Sequence, residues 1–547
     1  MSKFYLVFVV FILLSVDLFS QDTDKGQIHG NFQIDAQLYN QDTLIGADVP
    51  AEKMGLNSYA NFTYTRDKFT AGIRYEGYFP AMNGFDKKNN GVGIPYKYAS
   101  YTNQDLNITV GNFYEQFGNG LILRVYEDKT LDYDYALEGI KINYKLYNGV
   151  YVKAIYGKQR NYWSKSPGLV RGIDGEFSIN EMFEKLTDKK TKLTLGGSFV
   201  SKYQKDNDPL YKLPENVGAS AGRINIMRGK FSLSGEYAYK INDPSGVNGK
   251  IYKPGDATLI NATYSQKGLG IYLSAKRIDN MSFQSDRGAT GKDLNINTLP
   301  DITKTHTFAL EAMYPYAIQP NGEMGYQAEV IYKIKKKTKL GGKYGTTIDI
   351  NFSQISDIQK SALNDSTPIG QAGTLGYNSN YFAFGDDLFF QDLNVEIERK
   401  INKKFKTEFV YQNLIYNNHI FTNGDYHGII YTNVAIANLT YKLKSRKAIR
   451  TEMQWMGTKQ DKGDWAMFLV EYSIPHWFFT AWDLYNYGNS DNTKRLHYYY
   501  GAIGYVNKTN RIQIGYGRQR EGVVCAGGVC RYVPASNGLT ISITSTF

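Results

Sequence analysis

Cysteine is almost missing from this 547-residue chain: there are two, Cys525 and Cys530, in "VVCAGGVCRYVPASNG". Two thiolates do not make the four-ligand site of a structural zinc, and no further ligands stand close by in sequence. Histidine is nearly as scarce at six, and only His419 and His427 share a segment, either as solvated loop residues or as a metal pair. Long apolar runs are missing too. Beyond the first twenty residues none reaches the roughly 18 residues of a transmembrane helix, so any membrane span must be made of strands. No stretch rich in Ala, Leu, Glu and Lys marks a helical domain. A nucleophile elbow and a defensible Ser/His/Asp set are also lacking. "RGATGKD" (Arg287 to Asp293) imitates a phosphate loop without its leading Gly or the Ser/Thr after Lys292. The chain therefore reads as no enzyme, with no cofactor and no metal.

What is abundant is aromatic and glycine: 46 Tyr, 29 Phe and 53 Gly against 14 Pro. That balance belongs to strands carrying many amphipathic rings. At the start, Lys3 precedes an apolar run from Phe4 to Val16 that is too short to span as a helix, and Ser20 offers a small residue before Gln21. Residues 1–20 read as a secretory signal peptide, with a retained anchor as the other reading. No cysteine near that point would accept a lipid. The net charge of +11 raises nucleic acid as a partner, but export removes it. The basic residues cluster in short turns, "KIKKKTK" from Lys333 and "ERKINKKFK" from Glu398 among them. They serve either solubility or attraction to anionic headgroups.

The first mature segment sets the class. In "QIHGNFQIDAQLYN", Ile28, Gly30, Phe32, Ile34, Ala36 and Leu38 alternate with Gln27, His29, Asn31, Gln33, Asp35 and Gln37. Side chains of a strand alternate between faces, and an alternation this long matches the 9–11 or so residues of a tilted transmembrane strand. It recurs in "FTAGIRYEGYF", "FSLSGEYAYK", "GYQAEVIYKI" and "RIQIGYG". Tight connectors such as 66–68, 147–149, 228–230 and 507–510 alternate with long loops at 40–55, 80–95, 113–135, 241–255, 279–305, 353–387 and 415–427. The expected fold is all-β: residues 21–547 form one large antiparallel transmembrane β-barrel of about 24 strands (22–26) with no plug domain. Thr305 to Gly325 fits a strand or a loop. "NGLTISITSTF" ends the chain as the closing strand, because an open edge in lipid leaves backbone groups unpaired. Its final Phe547 looks like the C-terminal signal read by barrel-assembly machinery.

Predicted lumen faces mix both signs of charge: Arg74 with Glu76, Lys153, Glu236, Lys406 with Glu408, and Arg450 with Glu452. A selective constriction favours one sign, so the mixture suits a water-filled interior or one filled by its own loops. The stretch Glu115 to Gly139 breaks the alternation and carries Glu115, Arg124, Glu127, Asp128, Asp132, Asp134 and Glu138. It either folds inward as a constriction or cation site, or stays outside as an acidic loop; "FGDDLFFQD" (Phe384 to Asp392) poses the same choice. Cys525 and Cys530, in an exported chain, are expected to staple their loop as a disulfide.

TonB-dependent transporters, similar in size, carry a globular plug ahead of the barrel. Here the first strand begins at about Gln27, so closure is expected from the loops. "GNFYEQFGNGLILR" from Gly111, "QPNGEMGYQAEVIYKI" from Gln319, "TKQDKGDWAMFLVEYSIPHWFF" from Thr458 and the C-terminal stretch from Gly515 carry a resemblance. They resemble an uncharacterised family of Bacteroidota outer-membrane barrels known only as a domain of unknown function. The resemblance implies the fold and a cell outer-membrane location, and supplies no activity. Expected partners are outer-membrane lipid, the barrel-assembly machinery during biogenesis, and other envelope proteins. A channel or transporter for polar solutes is the first functional expectation. The alternative is a non-conducting subunit of an envelope machine for protein secretion, barrel assembly or polysaccharide export.

Overall fold

A computed structural model describes residues 26–422, 426, 428–526 and 529–547. The expected signal peptide and His427 lie outside the described residues. Twenty-four strands form one sheet in which each pairs antiparallel with its sequence neighbour, starting from Gln27–Tyr39 and Met54–Arg66. The last, Ser536–Thr546, returns to pair with the first along Phe32↔Ser545 to Leu38↔Leu539. The sheet is therefore a closed barrel. Closure leaves the ring no free edge, and every strand finds hydrogen-bond partners on both sides.

The chain's last residue finishes the seam. Phe547 and Gly30 exchange both backbone hydrogen bonds at 2.9 Å, and the Phe547 ring lies 6.1 Å from that of Phe62. Gly30 is needed there: a Cβ on it would stand 2.4 Å from Phe547 Cζ. Gly30→Leu is accordingly expected to expel the terminal ring and lower the fraction of folded barrel. Unheated samples on SDS gels check this, because a closed barrel migrates faster than the unfolded chain. An unchanged folded fraction would show that the ring's seat does not matter.

Outward positions carry exposed large apolar side chains in rows: Phe409 and Tyr411, Met453 and Trp455, Ile512, Ile514 and Tyr516. At roughly 25 cal/mol per Å² such a surface is costly in water and suits hydrocarbon. Beside the short turns, paired rings form a belt: Phe69 with Tyr101, Phe231 with Tyr264, and Trp477 with Tyr505, at centroid distances of 5.1, 4.6 and 4.8 Å.

Three stretches depart from the sequence reading or complete it. The region 353–387 is not one long loop, because strands Thr346–Ser361 and Asn378–Lys400 extend to the pair Ser361↔Asn378 and leave only 362–377 between them. Three register shifts between Ile355 and Lys360 scramble the two-residue period there. Thr305 to Gly322 is loop, not strand. Its apolar residues face the barrel interior, as part of a connection running from Asp279 to Glu323. The connection at 179–190, on the short-turn side, holds two single-turn helices, Ile179–Met182 and Glu184–Thr187.

Candidate functional site

Inward-facing residues differ between the two ends of a strand. In Ile429–Lys444, Ile430, Thr432, Val434 and Ile436 at the long-loop end are buried, whereas Lys442 and Lys444 near the short turn are exposed. The first strand repeats this: Gln37 is buried, His29 and Asn31 are exposed. The half of the lumen beside the short turns is thus an open, wet vestibule, as the alternation predicted. The other half is filled by the protein's own loops, the second of the two interiors that the mixed charge suits, and there the inward wall residues are largely apolar.

Two connections fill it: 114–136 and 280–322. Phe117, Leu121, Ile122 and Leu123 from the first and Met281, Phe283 and Ile296 from the second are wholly buried. They share one apolar core with wall residues that include Val200, Ile278, Ile355, Leu414 and Trp465. Backbone and side-chain bonds tie the two loops together. The Arg124 amide donates to the Ile296 carbonyl at 3.0 Å, Thr298 Oγ1 donates to the Arg124 carbonyl at 3.0 Å, and Asn297 donates to the Leu121 carbonyl at 3.0 Å. A third element covers them. The hairpin of Gly522–Ala526 and Val529–Val533, joined by the Cys525–Cys530 disulfide, sets Val529 into a cluster with Leu131, Tyr133, Tyr135 and Leu294. From the same hairpin Arg531 donates to the Thr130 carbonyl at 3.0 Å.

Charged groups fasten this filling to the wall. Lys304 lies 2.7 Å from both Asp349 and Glu396. His306 sits between two carboxylates. Its Nε2 is 2.9 Å from Asp392, and its Nδ1 is 2.9 Å from Glu311 at an angle too bent for a hydrogen bond. Asn394 donates to Glu311, and the Leu310 amide donates to Gln454 Oε1 at 2.8 Å. At the loop's exit Glu323 meets Lys276 at 2.7 Å, both side chains wholly buried. Burial opposes a charged His306 ring, but the contacts with Asp392 and Glu311 outweigh it and push its pKa up to about 10.

That shift fixes a pH window. A raised folded-state pKa contributes stability in full below the unfolded value of about 6.5, and loses it as pH rises through the folded value. Protease resistance of the 280–322 loop is therefore expected to be highest below about pH 6.5 and to decline in one broad step between there and about pH 10. His306→Gln, scanned alongside, should start less resistant and lack that step. A step of the same size in the variant would assign it to other groups.

The family model described as "Family of unknown function (DUF6029)" matches residues 1–547. The chain belongs to that family. No curated protein matches it in sequence. Among solved structures it is similar to the P pilus usher (PapC) translocation pore, at TM-score 0.45 and 9% identity, over 95% of this chain and 99% of that one. It is also similar to the siderophore receptor PirA from Pseudomonas aeruginosa, at TM-score 0.38 and 9% identity, over 96% and 81%. The copper transporter OprC gives TM-score 0.40 and 8% identity over 95% and 83%. At such values the chemistry of this family member has to be read from its own residues.

Four of the expected lumen candidates meet in one buried network. Arg74 bonds Glu76 Oε1 at 2.6 Å, lies 2.9 Å from Glu127 and also pairs with Asp134. Arg160, absent from the sequence reading, completes it with Glu76 Oε2 at 2.7 Å and Asp134 Oδ2 at 2.6 Å. Strict alternation puts residue 160 on the outer face with Tyr156 and Lys158. A register shift between Lys158 and Arg160 turns it inward. The other candidates are separate. Glu115 pairs with Lys153 at 3.0 Å, and Asp128 caps the 129–131 turn through the Thr130 amide at 2.9 Å. Asp132 accepts from the Asp86 amide at 2.8 Å, Glu138 meets Lys165 at 2.9 Å, and Arg124 stacks over Tyr126. Arg450 pairs with Glu452 two residues along the same strand, beside Gln454. The acidic stretch 113–135 is thus folded into the lumen, its charges largely satisfied internally. Among the described residues, no group of three or more His, Cys, Asp or Glu is placed to hold a metal.

Proposed function

We propose that the protein is an outer-membrane barrel, of a Bacteroidota-type cell, that passes polar solutes and is held shut at rest by its own inward-folded loops. The observation that carries this is the manner of fastening. A permanent filling needs only its apolar core, yet the 280–322 loop is also fixed by charged contacts of Lys304 and His306 to wall carboxylates, directly above a wet, mixed-charge vestibule. Charged contacts between a loop and a wall can be exchanged for water, so they give the closed state a means of release. The apolar outer rows and aromatic belt support a membrane site, and the leader-like pattern of residues 1–20 supports export. The sealed C-terminal strand ending in Phe547 supports handling by barrel-assembly machinery.

One observation favours the second reading, a non-conducting subunit of an envelope machine. The strands Thr346–Ser361 and Asn378–Lys400 run past the roughly 9–11 residues that a membrane needs and carry Phe382 at 86% exposure. Planar-bilayer recording of the intact protein beside Asp392→Asn/Glu396→Gln separates the two. A shut conduit gives rare openings in the parent and frequent ones in the variant. Silence in both, with partners retained through mild detergent, supports the subunit instead.

A further inference from the structure

Between the 280–322 loop, the inner wall and the base of the terminal hairpin lies a cavity of about 490 Å³. Small-molecule sites run from roughly 300 to 1,000 Å³. Its surface is aromatic from two directions: Tyr314 and Tyr316 come from the loop, Trp482 and Tyr498 from the wall. Most charged groups on its lining already have protein partners. Lys304 and His306 hold the wall carboxylates described above, and Glu521 takes Lys462 at 2.7 Å and the Tyr532 hydroxyl at 2.9 Å.

Asp301 and Arg520 are the exceptions: among the described residues neither forms an ion pair. Arg520, the cation of the two, lines the cavity half-buried and donates through Nη1 to the Glu521 carbonyl at 2.9 Å. Burial lowers its pKa from the ordinary guanidinium value, and the neighbouring Tyr314, Tyr498, Asp461 and Glu521 only partly oppose this. A cation partly removed from water, with carboxylates near but none in contact, is stabilised by an anion that reaches it directly, and a guanidinium matches a planar carboxylate or a phosphate with two parallel donors. Flat aromatic faces beside it favour a ring over a flexible chain, because sugar and aromatic rings cover such faces with little loss of freedom.

We propose that this cavity binds a small organic acid, a carboxylate or phosphate carried on a single ring, with the acid group on Arg520 and the ring against Tyr314, Trp482 and Tyr498. The inference names the class of solute for the proposed conduit and rests on that reading for the route of travel alone. Binding is measured with no current flowing.

The test uses the full-length protein in detergent, titrated by tryptophan fluorescence and calorimetry with D-glucuronate, D-glucose 6-phosphate and D-glucose. At least one of the two acids is expected to saturate, with glucose about tenfold weaker or worse, the ratio that a charged hydrogen bond confers. Arg520→Gln should weaken the acid by about tenfold or more, while Arg520→Lys, which keeps the charge but not the paired donors, should recover only part of that loss. Both variants should retain the parent's fast migration on unheated gels. Binding of neither acid, equal binding of glucose, or unchanged affinity in Arg520→Gln overturns the inference. Acid binding in a protein that never conducts keeps the site and removes the conduit; openings without acid binding do the reverse.

Discussion

Deleting residues 281–321 is expected to turn a nearly silent barrel into one with large, steady conductance steps. The deletion is feasible because Ile278 and Glu323 already face each other in adjacent strands. What remains between them is Asp279, Asn280 and Gly322, a three-residue hairpin connection with glycine in the last place, a common way to join antiparallel strands. The ring itself is held by strand pairing that the loop does not supply. Removing the loop wets wall residues such as Ile355, Leu414 and Val434, so a lower unfolding temperature is also expected. A barrel of this strand number is wider than the 16–18-stranded porins that leave an aqueous channel. The 114–136 connection, having lost its partner, covers only part of that opening. If the shortened protein migrates as a folded barrel and remains silent in bilayers, the 280–322 loop is not what closes the lumen.

The second large effect concerns stability. Arg160→Met leaves Glu76, Asp134 and Glu127 facing Arg74 with one cation fewer, in a site where Arg74 and Glu76 are 3% and 1% exposed. Breaking a buried ion pair costs about 3–5 kcal/mol, because the abandoned charge has neither water nor partner. The contrast is Glu398→Gln, which removes a pair at 2.9 Å whose side chains are 48% and 52% exposed; such pairs contribute about 0–1 kcal/mol. Heat-modifiability midpoints on gels should therefore drop strongly for Arg160→Met and barely move for Glu398→Gln. Adding Glu76→Gln to Arg160→Met should recover part of the loss, since it removes the charge left behind. Equal, small shifts in all three would mean that water reaches the network.

The barrel was legible because its period is short and local. The outward row from Ile28 to Leu38 needs no knowledge of any other part of the chain, and neither does a turn such as Asp67–Lys68. The site was legible only where it obeyed the same period. Arg74 and Glu76 fall on the inner face by alternation alone. Arg160 does not, because one extra residue in its strand reverses its face. The filling of the lumen left a weaker trace: "GLILR" inside an acid-rich stretch is an apolar run too short for a strand, and Leu121, Ile122 and Leu123 are its buried members. His306 and Asp392 are 86 positions apart. Nothing in the neighbourhood of either announces the other, because a contact across a lumen is set by which strands happen to stand opposite.

The meeting of Phe547 with Gly30 has a bearing on how the molecule is made. A nascent polypeptide that has not yet reached Ser536–Thr546 exposes two bare borders, along Gln27–Tyr39 and Asn510–Gln519, which that strand alone joins in the finished ring. Circularisation must therefore wait for residues 536–547. Until then an almost complete curved sheet has to be chaperoned.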